Sequence, residues 1–115
     1  RKMLQTAIKV GVNIALGTDQ FPFEPNDGTV ATVAEAELYA KAGMTPLQAL
    51  QAATIQNAKM MGIEDTVGRL KVGQYADIIA VDANPAQDIS ALRSISFVMK
   101  NGTIYRDDAR DIGRD

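Results

Sequence analysis

Residues 12–16 constrain the fold more than any other stretch of this 115-residue chain. Their sequence, VNIAL, has the period of two that is typical of a β-strand, yet it is apolar on both faces. Such a strand is typical of a buried parallel sheet, in which neighbouring strands satisfy its backbone groups on both sides. The sequence predicts no neighbouring strand before residue 70, so we interpret the chain as part of a longer protein or as a processed chain.

A candidate catalytic residue follows this predicted strand directly. Gly17 permits a tight turn, and Thr18 and Asp19 come next, at the carboxyl end of the strand. In α/β folds this end of the sheet is where ligands and catalytic groups collect. An isolated aspartate after a strand is more often a turn former or a helix N-cap, so the interpretation of Asp19 depends on the rest of the chain.

Helical periodicity marks residues 3–11 and 32–42, where apolar side chains recur on one face. Residues 20–29 contain two prolines, a glycine and an Asn-Asp pair, which predicts a loop. Phe21 and Phe23 of this loop could wall a substrate pocket or plug the end of a core, and the residues leave both alternatives open.

The clearest helix start in the sequence lies at residue 45. Thr45 fits the N-cap position, Pro46 fits the first helical position, and Gln48 can reach back to complete a capping box. The helix is predicted to run from Pro46 to about Met60, and Gly62 is predicted to end it.

After the helices the pattern changes to strands. Residues 76–82 and 95–100 are predicted as strands, and residues 103–106 are predicted to return antiparallel to the second of them. The Asn-Gly pair at residues 101–102 predicts a two-residue turn of type I′ between these two strands. Residues 89–92 are predicted to form a helical turn.

Composition excludes several classes of function. The 12 basic and 14 acidic residues give a net charge of -2, which predicts that nucleic acid is not a partner. No apolar run approaches the about eighteen residues of a membrane span, and no signal peptide opens the chain, so we expect a cytoplasmic protein. With 0 His and 0 Cys, the chain supplies no imidazole base, no histidine or thiolate metal ligand and no disulfide.

Five segments of the chain occur in an order typical of one enzyme superfamily. They are GTD at residues 17–19, AGMTPLQAL at 42–50, AAT at 52–54, GRLKVGQYADIIAVD at 68–82 and FVMKNG at 97–102. Together they resemble the metal-dependent amidohydrolase superfamily, and within it the branch of imidazolonepropionase-like and Xaa-Pro-dipeptidase-like enzymes. The resemblance extends from about residue 11 to residue 106.

The resemblance implies an α/β fold, namely a (β/α)₈ TIM-type barrel with a flanking β-sandwich domain. This chain would be its C-terminal part. Residues 1–65 would be the last strand and helices of the barrel, residues 66–106 the C-terminal part of the small β-sandwich, and residues 107–115 a charged tail.

The resemblance also implies roles for particular residues. Asp19 maps onto the family aspartate that binds the metal or its water, takes a proton from the attacking water and passes it to the leaving amine. The implied cofactor is a divalent metal, Zn as one or two ions, whose remaining ligands lie outside this chain. Gln20 and Phe21 are candidate substrate-binding residues, whereas Asp77 and Asp82 are interpreted as structural groups that bond backbone N–H.

Two functions stay open on this basis. The first is the C-terminal portion of a metal-dependent hydrolase that cleaves an amide or peptide bond in a dipeptide or a cyclic amide, with the isolated chain inactive. The second is a non-catalytic, self-associating αβ module without metal. The predicted partners are a small amide or dipeptide substrate and either the rest of its own barrel or other copies of the chain, as a homo-oligomer.

Overall fold

The computed structural model describes residues 2–19 and 29–111 of the chain. The helices are α1 Lys2–Val10, α2 Thr29–Lys41, α3 Pro46–Ala53, α4 Ile55–Met61, a 3₁₀ helix Ile89–Arg93 and α5 Asp108–Asp111, and the strands are β1 Ile78–Val81, β2 Ile95–Lys100 and β3 Thr103–Asp107. The helices predicted over residues 3–11 and 32–42 are therefore confirmed. None of the described helices is both long enough and apolar enough to cross a membrane.

The strand predicted at residues 12–16 is not observed in the described part of the chain, where these residues form no regular secondary structure. The physical reason is the lack of a partner, because the strands of the described sheet, β1, β2 and β3, pair with one another. A helix partner satisfies part of the backbone instead, since the Leu16 N–H donates to the Ala52 carbonyl over 2.9 Å. The segment is thus held to α3 rather than to a sheet.

The predicted capping box at the start of α3 is confirmed. The Thr45 N–H donates to Gln48 Oε1 over 2.9 Å, and the Gln48 N–H donates to Thr45 Oγ1 over 3.1 Å. The single long helix predicted beyond it is wrong, because the chain breaks at Thr54, with φ -123 and ψ -93, into α3 and α4. The Thr54 hydroxyl donates to the carbonyl four residues back over 2.8 Å, a contact that bends helices. Gly62, with φ 72, then ends α4 as predicted.

The C-terminal strands form an antiparallel sheet in the order β1-β2-β3. Asn101 and Gly102 join β2 to β3 with φ values of 48 and 77, so the predicted type I′ turn is confirmed. Asp77 braces this turn, since its carboxylate accepts the Asn101 N–H over 2.8 Å and lies 3.1 Å from Lys100 Nζ. The structural interpretation of Asp77 is therefore confirmed.

One small buried cluster joins the helices to the C-terminal half of the chain. It consists of Ala36 from α2, Ala49 from α3 and Ile89 from the 3₁₀ helix. Packed against it are the partly buried residues Leu16, Tyr39, Ala40, Met44, Leu50 and Leu92. An ion pair connects the same elements, with Arg93 Nε 2.7 Å from Glu37 Oε1 and Arg93 Nη2 3.0 Å from Glu37 Oε2.

Most large apolar side chains of the described residues are at least partly exposed. Among the described residues none of the large side chains is fully buried, and those most exposed are Met3, Val10, Met60, Met61, Leu70, Val72 and Tyr105. Where exposed apolar side chains form a contiguous patch, the patch marks a site of contact with other protein. The described helices and loops therefore leave part of their apolar surface exposed.

Candidate active site

Asp19 lies at the end of the segment of residues 12–19, where it is exposed and has a φ of 49. This left-handed backbone region costs about 1–2 kcal/mol for most residues, although Asp and Asn adopt it more readily than others. Conformations of this kind cluster at functional sites, where surrounding structure holds them in place. The conformation of Asp19 thus supports a functional hypothesis for its carboxylate.

Three helices hold the segment that leads to Asp19. From α3, the Ala52 carbonyl accepts the Leu16 N–H over 2.9 Å. From α4, Asn57 Nδ2 donates to the Leu16 carbonyl over 3.0 Å, and from α2 the Tyr39 hydroxyl donates to the Ala15 carbonyl over 3.4 Å. Because both backbone groups of Leu16 are bonded, the chain is fixed three residues before Asp19.

Packing reinforces this anchor on one side only. The Leu16 side chain packs against the buried cluster of Ala36, Ala49 and Ile89. The next residue, Gly17, is exposed, and no atom of the described residues beyond its chain neighbours lies within 4 Å of the place that a Cβ would take. The segment therefore has a fixed base at Leu16, followed by an open turn that leads to the carboxylate.

The described residues do not fit a complete metal centre. Within residues 2–19 and 29–111, no group of three or more His, Cys, Asp or Glu side chains could hold a metal ion. Asp19 offers one carboxylate, whereas a catalytic zinc site normally takes three protein ligands and a water. Asp19 can therefore serve as one oxygen ligand only where other groups complete the site.

The predicted substrate-binding residues Gln20 and Phe21 lie outside the described residues, as does Phe23, so the predicted pocket stays a prediction. A groove of about 530 Å³ is lined by described residues that do not include Asp19. It runs between α4 and the loop that precedes β1, and its lining includes Met61 and Leu70. A second cavity, of about 420 Å³, follows residues 13–15 and is also lined by Gln56, Lys59 and Met60.

Two other carboxylates are held in structural contacts. The hydrogen bond from Arg93 holds the pKa of Glu37 below its ordinary value. The backbone N–H of Asn101, followed by the Lys100 ammonium, lowers the pKa of Asp77 in the same way. Both carboxylates are thus charged at neutral pH and engaged with partners, which makes them poor proton acceptors for a reaction.

Asn57 and Tyr39 are part of the anchor, but sequence reasoning missed them. Periodicity placed both residues on helices, yet it gave no information about which distant carbonyl their polar atoms would meet. The contact of Asn57 spans 41 residues and that of Tyr39 spans 24. The signal available in the sequence was an amide and a hydroxyl side chain placed within segments that are predicted to be helical.

Comparisons with known proteins agree with one another. Residues 1–105 match the amidohydrolase family. The ochratoxinase of Aspergillus niger is 37% identical over 109 residues, which cover 91% of this chain and 22% of that protein. A 5-methylthioadenosine/S-adenosylhomocysteine deaminase of Teredinibacter turnerae is 39% identical over 80 residues, which cover 64% of this chain and 18% of that protein.

A solved structure resembles most of this chain. The crystal structure of a Xaa-Pro dipeptidase with methionine bound in its active site matches with a TM-score of 0.82 at 37% identity. The match covers 91% of this chain and 25% of the dipeptidase chain. The chain thus spans about a fifth of the length of the curated relatives that it matches, 22% for the ochratoxinase.

Proposed function

The chain belongs to the amidohydrolase family, and on this premise we propose that it is the C-terminal portion of a metal-dependent hydrolase that cleaves an amide or peptide bond. The observation that carries the proposal is the family match over residues 1–105, which includes Asp19 at the end of its anchored segment. The dipeptidase and the deaminase among its relatives are both named for reactions at C–N bonds, which supports this class of reaction.

For the fold, the proposal is the end of a (β/α)₈ barrel followed by part of a flanking β-sandwich. Residues 1–65 would belong to the barrel, residues 66–106 to the sandwich and residues 107–115 to a tail. The TM-score of 0.82 over only 25% of the dipeptidase chain supports a portion of a larger fold. The exposed Val10 and Val12, 69% and 56% accessible, would then be covered by the rest of the barrel.

Asp19 is proposed as the residue that moves the proton during hydrolysis. A carboxylate can accept the proton that the attacking water releases and return it to the leaving nitrogen, provided that it lies within hydrogen-bond reach of both. Its exposure leaves it open to water and substrate, and its anchored base at Leu16 limits its movement. The proposed cofactor is a divalent metal, Zn as one or two ions, with Asp19 as one ligand and the others outside this chain.

The proposed substrate is a small amide, either a dipeptide or a cyclic amide. Substrate choice in barrel enzymes depends on the loops at the carboxyl ends of the strands. Gln20 and Phe21, which directly follow Asp19, are the residues of this chain that we propose for substrate contact. The dipeptide is supported by the Xaa-Pro dipeptidase match at 37% identity.

A second candidate function is a self-associating module without catalysis. The observation in its favour is the exposed apolar surface, in particular Met3, Leu70 and Val72, which are 86%, 77% and 100% accessible. In that case other copies of the chain would cover these faces. Both candidate functions predict that the isolated chain associates, so a monodisperse monomer with cooperative unfolding in sedimentation and denaturation experiments would count against both.

The deciding experiment uses the proposed longer protein, which would contain this chain as its C-terminal portion. Hydrolysis of Xaa-Pro dipeptides and cyclic amides should require that longer protein and should be abolished by Asp19→Asn. The asparagine keeps the size of the side chain and tolerates the left-handed backbone, so it removes the charge alone. A start codon immediately upstream, together with assembly of the short chain into a defined oligomer, would favour the module.

A further inference from the structure

The backbone carbonyls that lead to Asp19 accept hydrogen bonds from side chains. The Leu16 carbonyl accepts from Asn57 Nδ2 over 3.0 Å, and the preceding carbonyl, of Ala15, accepts from the Tyr39 hydroxyl over 3.4 Å. Both contacts are partly buried, and the donors lie on α4 and α2. Carbonyls that are shielded from water need a hydrogen-bond donor, and in a sheet the neighbouring strand provides it. Here the side chains of Asn57 and Tyr39 provide the donors instead.

The position of the Asn57 contact gives it influence over Asp19. The Leu16 carbonyl belongs to the peptide plane that joins Leu16 to Gly17, so fixing its direction fixes the exit of the chain toward the turn. Gly17 is exposed, and among the described residues no atom beyond its chain neighbours lies within 4 Å of the place that its Cβ would take. Leu16 has both its N–H and its carbonyl hydrogen-bonded, and along the chain it is the described residue nearest to Asp19 of which this is true.

We propose that Asn57 is a positioning residue for Asp19, with Tyr39 as its weaker helper, an inference that rests on the proposed hydrolytic function. Asn57 bonds to the backbone at Leu16 and acts on the reaction through that backbone. A proton acceptor must lie within hydrogen-bond reach of the group that it serves, and a displacement of about 1 Å costs on the order of 100-fold in rate. The amide of Asn57 limits such displacement by holding the base of the turn.

Variants of the 115-residue chain test the structural half of this inference. Asn57→Leu keeps the branched shape of the side chain and removes the donor, whereas Tyr39→Phe keeps the ring against the core and removes only the hydroxyl. Met61→Ala is the matched control, because Met61 is on the same helix, is 67% exposed and lines a groove whose lining does not include Asp19. The readout is the amide order parameter of Thr18 and Asp19 by ¹⁵N relaxation, with circular dichroism as the check of folding.

We expect the order parameters at residues 18 and 19 to fall toward the flexible range, below about 0.6, in Asn57→Leu. A smaller decrease is expected in Tyr39→Phe, whose hydrogen bond is longer, and no change in Met61→Ala. Unchanged order at both residues in folded Asn57→Leu would overturn the inference. If Asn57→Leu does not fold, Asn57→Asp replaces it, because the aspartate lacks the donor at neutral pH. Unchanged order parameters at residues 18 and 19 in both Asn57→Asp and Tyr39→Phe would then overturn the inference.

The longer enzyme tests the functional half. There Asn57→Leu should lower kcat about 10- to 100-fold, as residues that orient catalytic groups commonly do, while KM stays unchanged. Asn57→Gln, which retains the amide donor, should recover part of the loss. If Asp19→Asn leaves hydrolysis intact, the proposed function is wrong, whatever the result for Asn57. If Asp19→Asn abolishes hydrolysis but Asn57→Leu leaves kcat intact, only the positioning role of Asn57 is wrong.

Discussion

Replacing Gly68 with alanine should destabilise the fold through two separate effects. Gly68 lies in the loop after α4, with a φ of 103 that side-chain-bearing residues rarely adopt. A Cβ at this position would lie 2.9 Å from Ala58 Cβ and 3.2 Å from Ile55 Cα. Ala58 is buried, at 4% accessibility, and the Ile55 atom belongs to the backbone of α4, so relief of the clash requires the loop or the helix to move.

Gly73 provides the matched control for the backbone effect. Its φ is 91, close to that of Gly68, but nothing lies within 4 Å of the place that its Cβ would take. Gly73→Ala should therefore lower the free energy of unfolding by about 1–2 kcal/mol from the backbone alone. Gly68→Ala carries that penalty and an overpacking penalty of about 1–3 kcal/mol, which together come to about 2–5 kcal/mol.

The assay is urea unfolding of the wild-type chain and both variants at one protein concentration, followed by circular dichroism. The account predicts that Gly68→Ala loses about 1–3 kcal/mol more than Gly73→Ala, which is the overpacking penalty. Equal losses in the two variants would show that the loop does not pack closely on α4. A larger loss in Gly73→Ala would contradict close packing as well.

Two further predictions concern the carboxylates held in ion pairs. Arg93→Ala should lower the free energy of unfolding by about 0.5–1 kcal/mol in chemical denaturation, a small loss because the ion pair with Glu37 is partly exposed. The pKa of Glu37 is lowered in the folded chain, so the contribution of the pair is present above the unfolded pKa of about 4.5. It should vanish as pH falls through the lower folded pKa. Asp77→Ala should speed amide hydrogen exchange at Asn101 more than Asp77→Asn does, because the asparagine retains an acceptor, and equal exchange in both variants would contradict the brace. Because the pKa of Asp77 is lowered in the folded chain, the charge-dependent part of the brace is present above the ordinary pKa of about 3.8 and is lost as pH falls through the lower folded value.

Local signals in the sequence predicted much of the secondary structure. The capping box at Thr45 and the Asn-Gly turn at residues 101–102 depend on side chains within a few positions of each other, and the structure confirms both. The break at Thr54 was missed because periodicity continues across it, while the deciding hydrogen bond runs from its hydroxyl back to the carbonyl of Leu50. Short-range chemistry was thus predictable wherever one interaction dominated.

Long-range partners limited the prediction of the candidate site. The position of Asp19 after an apolar segment was visible in the sequence, but its left-handed φ of 49 was not. The sequence predicted that residues 12–16 would take strand neighbours, whereas the described residues provide a helix carbonyl and the side chains of Asn57 and Tyr39. No pattern within the chain specifies which of its polar groups will meet a backbone group 41 residues away.

The most direct test of the central claim is the hydrolysis rate of the longer, metal-loaded protein with and without the Asp19 carboxylate. The account predicts that Asp19→Asn lowers kcat for a Xaa-Pro dipeptide by about 10²- to 10⁴-fold, with folding and oligomeric state unchanged. It also predicts no hydrolysis by the 115-residue chain alone. Wild-type kcat in the Asp19→Asn protein, or Asp19-dependent hydrolysis by the short chain itself, would contradict the account.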